Sequence, residues 1–87
     1  MPDGEKKLIG KVSHYYGKIG VAVVDLTDKL SVGDNISIEG VATNIQQTVD
    51  SIQIEHENIP MAKKGDSIGL KVKDRVREGD AVYKVVG

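Results

Sequence analysis

Gly33-Asp34-Asn35-Ile36-Ser37-Ile38-Glu39 carries the pattern of a strand entered through a glycine turn. Ile36 and Ile38 alternate with polar residues, and a period of two puts both on one face of a β-strand. The Gly-Asp pair starts that strand. Glycine supplies an unusual φ, and the aspartate carboxylate can accept hydrogen bonds from nearby backbone N–H groups. The pattern returns as Gly65-Asp66 before Ile68 and Leu70, and as Gly79-Asp80 before Val82, where Lys84 takes the next alternate place. Nothing in the sequence brings the three aspartates together. They read as strand starts rather than as carboxylate chemistry or metal ligands.

Working outward, Leu8–Tyr15 reads as the first strand, with Gly10 where the backbone bends or passes closely. Tyr16–Gly20 is a turn, and Val21–Leu26 is an apolar run that suits a strand covered on both faces. Thr27–Lys29 and Glu39–Ala42 are turns. Thr43–Glu55 reads as one long strand whose apolar phase slips, from Ile45 and Val49 to Ile52 and Ile54. A change of parity predicts a bulge near Asp50-Ser51. Glu57–Lys64, with Pro60, is a loop with one helical turn at Met61-Ala62. Ser67–Val72 and Ala81–Val86 are the last strands. The expected organisation is a flexible N-terminal arm over residues 1–7 and a single domain over residues 8–87.

Composition supports an all-β chain. Its 87 residues hold 12 Val and 9 Ile against 4 Leu, with no Phe or Trp, and β-branched residues suit pleated strands. The absence of cysteine excludes disulfides, zinc ribbons, iron–sulfur clusters and thiol catalysis. The net charge of −1 gives no general attraction to nucleic acid or membrane, so any such contact needs a local patch. No apolar run approaches the roughly 18 residues of a membrane span. Met1–Lys7 is polar and lacks the apolar core of a signal peptide. The expectation is a cytoplasmic protein without a membrane partner, without cofactor or metal, and monomeric.

The ordered pieces resemble a known family. They are Ile9-Gly10-Lys11-Val12, then Gly17-Lys18-Ile19-Gly20-Val21-Ala22-Val23, then Leu30 to Gly40. They continue with Ile52-Gln53-Ile54, Ala62 to Leu70, and Glu78-Gly79-Asp80-Ala81-Val82. Together they resemble the second domain of translational GTPases such as elongation factor Tu. A similar barrel ends some collagenase-like peptidase-family proteins linked to tRNA hydroxylation. The resemblance implies a small closed antiparallel β-barrel of about six strands, a form that removes exposed edges. It also implies a link to protein biosynthesis. No Gly-x-x-x-x-Gly-Lys-Ser/Thr is present, so the expectation is a stand-alone barrel with no GTPase domain. In elongation factor Tu the loop matching Pro60–Gly65 helps form the pocket for the terminal adenine of aminoacyl-tRNA. As aligned here, an acidic position of that loop is Met61 and a basic one is kept as Lys63.

The candidate RNA-binding residues are Lys63, Lys64, Lys71, Lys73, Arg75 and Arg77, with Lys18 and Tyr16. From Lys63 to Arg77 there are six cations and two acids. On an extended chain, alternate cations would repeat about every 6.6 Å, near the phosphate spacing of a single strand. The other reading is a solvated strand face. Tyr15 and Tyr16 point opposite ways on a strand, so one can stack on a base while the other caps the core. His14 reads as structural and His56 as a surface histidine. The serines have no base or elbow at a telling spacing, and no catalytic constellation appears. Two functions stand. One is a non-catalytic barrel that binds tRNA or ribosomal RNA. The other is a protein-interaction module or accessory subunit of a separately encoded tRNA-modifying or peptidase-family enzyme.

Overall fold

The three Gly-Asp pairs start three strands, and those strands lie in one sheet or link its parts. The computed structural model describes residues 5–55 and 57–86; His56 and residues 1–4 of the expected arm lie outside the described residues. The elements are β1 (Glu5–Tyr16), β2 (Val21–Leu26), β3 (Leu30–Ser31), β4 (Asn35–Glu39), β5 (Asn44–Thr48), β6 (Ile52–Ile54), β7 (Glu57–Ile59), β8 (Met61–Ala62), β9 (Ser67–Lys71) and β10 (Ala81–Val86). Eight form one antiparallel sheet in the order β5-β4-β10-β1-β2-β9-β6-β7, and β3 pairs with β8. The chain is all-β with no helix among the described residues. Among the described residues no strand pairing joins the edge strands β5 and β7, so the sheet is not closed there. A radius of gyration of 11.7 Å matches the compact value of about 12 Å for this length.

The core is filled by β-branched and leucine side chains. Ile9, Val12, Val24, Leu30, Ile36, Ile38, Ile52, Ile68, Leu70 and Val82 are essentially inaccessible. Fully burying a side chain of this size stabilises by about 1.5–3 kcal/mol before entropy is counted. Ser37, on the opposite face of β4 from Ile36 and Ile38, is also covered, and its hydroxyl donates to Glu39 Oε2 at 2.8 Å.

Several expectations change. Residues 5–7 belong to β1, because Glu5, Lys6 and Lys7 pair with Val86, Val85 and Lys84. The parity slip between Ile45 and Ile52 is a strand break rather than a bulge. The chain leaves the sheet after Thr48, is held at Val49 by bonds to Asp34 and Gly33, and rejoins as β6 beside β9. The irregularities fall instead in β1, between Leu8 and Gly10 and between Val12 and His14. They let Ile9 and Val12, three positions apart, both face inward. Met61-Ala62 is a short strand against Leu30-Ser31, not a helical turn. The Val21–Leu26 run is covered on one face only: Ala22, Val24 and Leu26 are buried, whereas Val21 and Val23 are half-buried.

Gly10 meets its expectation. A Cβ there would stand 2.8 Å from both the Asp25 carbonyl oxygen and Val24 Cγ1, so β1 and β2 can approach only because the side chain is missing.

Candidate nucleic-acid interface

β9 ends at Lys71, opposite Val21 at the start of β2. The next residue turns its backbone to the β1–β2 turn: the Val72 N–H donates to the Gly20 carbonyl at 2.9 Å. Lys18, in that turn, therefore lies at the same end of the molecule as Lys71 and Lys73. Residues 72–80 carry no strand, yet they are pinned. Val72 and Val76 are buried, and Asp80 is 5% exposed. The Gly79 N–H donates to the Val12 carbonyl, and the Val12 N–H donates to the Asp80 carbonyl. Val72 and Val76 point inward, and Lys71, Lys73, Asp74, Arg75 and Arg77 all face solvent.

The expected extended row is thus altered in geometry. β9 ends at Lys71, where its partner β2 begins at Val21, and further on Asp74 Oδ1 accepts the Arg75 N–H at 2.8 Å, a local bond in place of a ladder. The cations continue on an irregular segment held by its apolar residues. Among the described residues, none of Lys18, Lys63, Lys64, Lys71, Lys73, Arg75 and Arg77 takes part in an ion pair, whereas Lys6, Lys7 and Lys84 each do.

Lys63 and Lys64 do not join this group. The Leu26 N–H donates to the Asp66 carbonyl and the Gly65 N–H to the Leu26 carbonyl, which fixes their turn at the far end of β2. The length of β9 separates the two basic sets, about 13 Å from Ser67 to Lys71 along the strand.

One hollow is walled in part by the basic segment, and another lies over the outer face of β2 and β9. One, of about 390 Å³, lies between the β4–β5 turn and residues 74–77, with Thr43, Asn44, Arg75 and Arg77 on its walls. The other, of about 480 Å³, is an open groove over Val21, Val23 and Gly69 with Tyr16 and Ile19 on its rim. Tyr16 is 49% exposed, while Tyr15 packs against the core, so the pair divides as the alternation requires. A tyrosine beside an apolar floor can hold a flat ring.

Sequence reasoning missed three participants. His14 Nδ1 lies 3.1 Å from Glu78 Oε2, and its ring packs 4.4 Å from that of Tyr16. Gln47 reaches from β5 to the backbone of Lys71 and Lys73. These contacts join positions far apart in the chain, and no local pattern announces them.

The shifted carboxylates lie elsewhere. The Lys6 ammonium, then the Ser37 hydroxyl, hold Glu39 below its ordinary pKa. A hydrogen bond from Lys7, then the Lys29 N–H, do the same for Asp28. Among the described residues no group of three or more His, Asp and Glu side chains could hold a metal ion, and no helix is long and apolar enough to cross a membrane.

No family model matches the chain. It is 43% identical over 76 residues to an uncharacterized protease of Methanocaldococcus jannaschii, covering 86% of this chain and 19% of that protein. It is 35% identical over 82 residues to a collagenase of Porphyromonas gingivalis, covering 92% of this chain and 23% of that protein. Elongation factor 1-alpha of Natronomonas pharaonis is 34% identical over 68 residues, 74% of this chain and 15% of that protein. The chain therefore spans only about a fifth of the length of the curated relatives it matches. Among solved structures, the C-terminal domain of a Geobacillus thermoleovorans protein named for the U32 peptidases superposes with a TM-score of 0.84 at 22% identity. That match covers 90% of this chain and 91% of the other, so the two share a fold.

Proposed function

We propose that this chain is a non-catalytic, monomeric barrel of the translation-factor second-domain type that binds single-stranded RNA, as in a tRNA end or a ribosomal RNA loop. Contact is made through the end carrying Tyr16, Lys18, Lys71, Lys73, Arg75 and Arg77. The reading is carried by one observation: four cations between positions 71 and 77 are exposed and, among the described residues, outside any ion pair, on a segment pinned by Val72 and Val76. A backbone that is already fixed adds little ordering cost when its cations meet phosphates, and each contact releases counterions. The groove beside Tyr16 offers a base somewhere to stack. The matches to elongation factor 1-alpha favour a translation-linked RNA. The matches to about a fifth of protease- and collagenase-named proteins, and the shared fold with a C-terminal domain, favour a binding module rather than a catalytic one.

The test is fluorescence anisotropy with a labelled single-stranded oligoribonucleotide across a salt series. Binding should weaken with salt, and Lys73→Gln/Arg75→Gln should lower the slope of log K against log salt by about 0.7 for each lost contact. A wild-type chain that binds no RNA at low salt, or a double variant with an unchanged slope, overturns the reading. The apolar groove over Val21 and Val23 would then favour a protein partner.

A further inference from the structure

The sheet has a seam. β6 pairs with β9 only at Leu70 and Gly69, so the backbone from Lys71 to Lys73 runs on without a strand on that side. Facing it across the seam is β5, the other edge of the sheet. An edge with unpaired N–H and C=O groups is a weak place in a small β domain.

Gln47, on β5, spans the gap. Its Nε2 donates to the Lys71 carbonyl at 2.7 Å, and its Oε1 accepts the Lys73 N–H at 2.9 Å. A carbonyl at one residue and an N–H two residues on are the two groups that a parallel neighbouring strand would engage. The side-chain amide holds the same donor and acceptor as a peptide unit. Gln47 thus imitates one residue of a parallel bridge to Val72. On the other side, Val72 is tied to the Gly20 carbonyl. The backbone between the two lysines is therefore gripped from both sides, by one peptide group and by one side chain.

We infer that Gln47 is a positioning residue: its amide latches the seam shut and fixes the backbone that carries Lys71 and Lys73 at the spacing in which they meet an oligoanion. The inference about the lysines rests on the RNA reading above; the latch does not. An apolar occupant of position 47 with the right volume would leave the Lys71 carbonyl and the Lys73 N–H to water. The segment would then sample other conformations, and binding would carry an ordering cost.

The experiment compares the full chain with Gln47→Leu and with Gln46→Leu as a control on the neighbouring outward position. Backbone NMR first establishes that each variant is folded. Amide exchange of Lys73 is then followed residue by residue. Gln47→Leu should speed it about tenfold, the size expected for loss of one local bond, while Gln46→Leu leaves it unchanged. Gln47→Glu retains the acceptor for Lys73 and loses the donor to Lys71, so Lys73 exchange should stay slow. Unchanged Lys73 exchange in Gln47→Leu overturns the latch. Oligouridylate binding is measured on the same samples. Gln47→Leu keeps every cation, so the salt slope should be unchanged while affinity falls several-fold. Faster Lys73 exchange with undiminished affinity overturns the positioning role. If the wild-type chain binds no oligouridylate, the RNA reading fails, and the exchange data alone decide the latch.

Discussion

Arg77 and Asp80 bond each other twice: the Arg77 N–H donates to Asp80 Oδ2 at 2.8 Å, and the Asp80 N–H donates to the Arg77 carbonyl at 3.1 Å. Ser31 with Asp34 and Lys63 with Asp66 repeat the exchange. The glycine between each pair has a φ of 95°, 93° and 90° at Gly33, Gly65 and Gly79. A positive φ at the third residue of a four-residue turn is the signature of a type II turn. Each Gly-Asp pair is thus a turn whose fourth residue caps its first.

The three turns differ in burial, and their aspartates should differ in worth. Asp80 is 5% exposed, so Asp80→Ala leaves a covered Arg77 N–H without a partner and should cost about 1–3 kcal/mol. Asp66→Ala frees the exposed Lys63 N–H to water and should cost under about 1 kcal/mol. Urea unfolding of both variants checks the order, and equal losses would refute the burial argument.

Two glycines should fail for different reasons. Nothing surrounds a Cβ at Gly33, so Gly33→Ala meets only the backbone penalty of its positive φ, about 1 kcal/mol. A Cβ at Gly40 would overlap the Asp80 carboxylate. Gly40→Ala must push that carboxylate off the Arg77 N–H and should destabilise more than Gly33→Ala. Combined with Asp80→Ala, the Gly40→Ala loss should shrink, and a double-mutant cycle reads that coupling.

Stability should fall in acid for a reason visible at Glu39 and Asp28. Both carboxyls are held below their ordinary values of 4.5 and 3.8 in the folded chain, chiefly by Lys6 and Lys7. A depressed folded pKa contributes stability that is present above the unfolded value and is lost as pH falls through the folded one. The effect is small because these groups face solvent. Melting temperatures taken from about pH 6 down to about pH 3 should decline, and Lys6→Gln should flatten the decline.

The separation of the two basic sets makes a specific prediction. Lys63→Gln/Lys64→Gln should reduce RNA affinity less than Lys73→Gln/Arg75→Gln, because the first pair lies beyond the length of β9. Both double variants remove the same charge, so a long-range field alone would weaken binding equally. Equal losses would mean that a long-range field, and not contact at the end of β9, sets the affinity.

A core test calibrates these numbers. Leu70 is fully buried and lies between β2 and β6 in the ladder. Leu70→Ala should cost about 2–5 kcal/mol, a large share of the stability of a chain this short, and should appear as a fall in the urea midpoint.

Local chemistry made much of the fold legible. β2, β4 and β10 begin and end where alternation and turn residues place them, since a period of two and a glycine with positive φ are properties of a few neighbouring residues. That Tyr15 and Tyr16 face opposite ways follows from the same alternation, whereas the exposure of the four cations between 71 and 77 does not, because Lys73, Asp74 and Arg75 are exposed in succession outside any strand. The slip of parity between Ile45 and Ile52 is written in the chain, but a bulge and a strand break share that signature, and only the position of β6 beside β9 separates them.

By itself, then, the amino-acid order determined an all-β chain, three identical turns and a basic segment near the end of β9. Tertiary structure alone decided which of the basic residues stand together. It set Lys18 at the same end of the molecule as Lys71 and Lys63 at the other end of β9, drew His14 to Glu78, and carried Gln47 across the seam to the backbone of Lys71 and Lys73. The physical reason is range. Turn and strand preferences act within a few residues, whereas these contacts depend on strand register and on the order of strands in the sheet, which the packing of Ile9, Ile38, Ile68 and Leu70 into one core imposes from a distance.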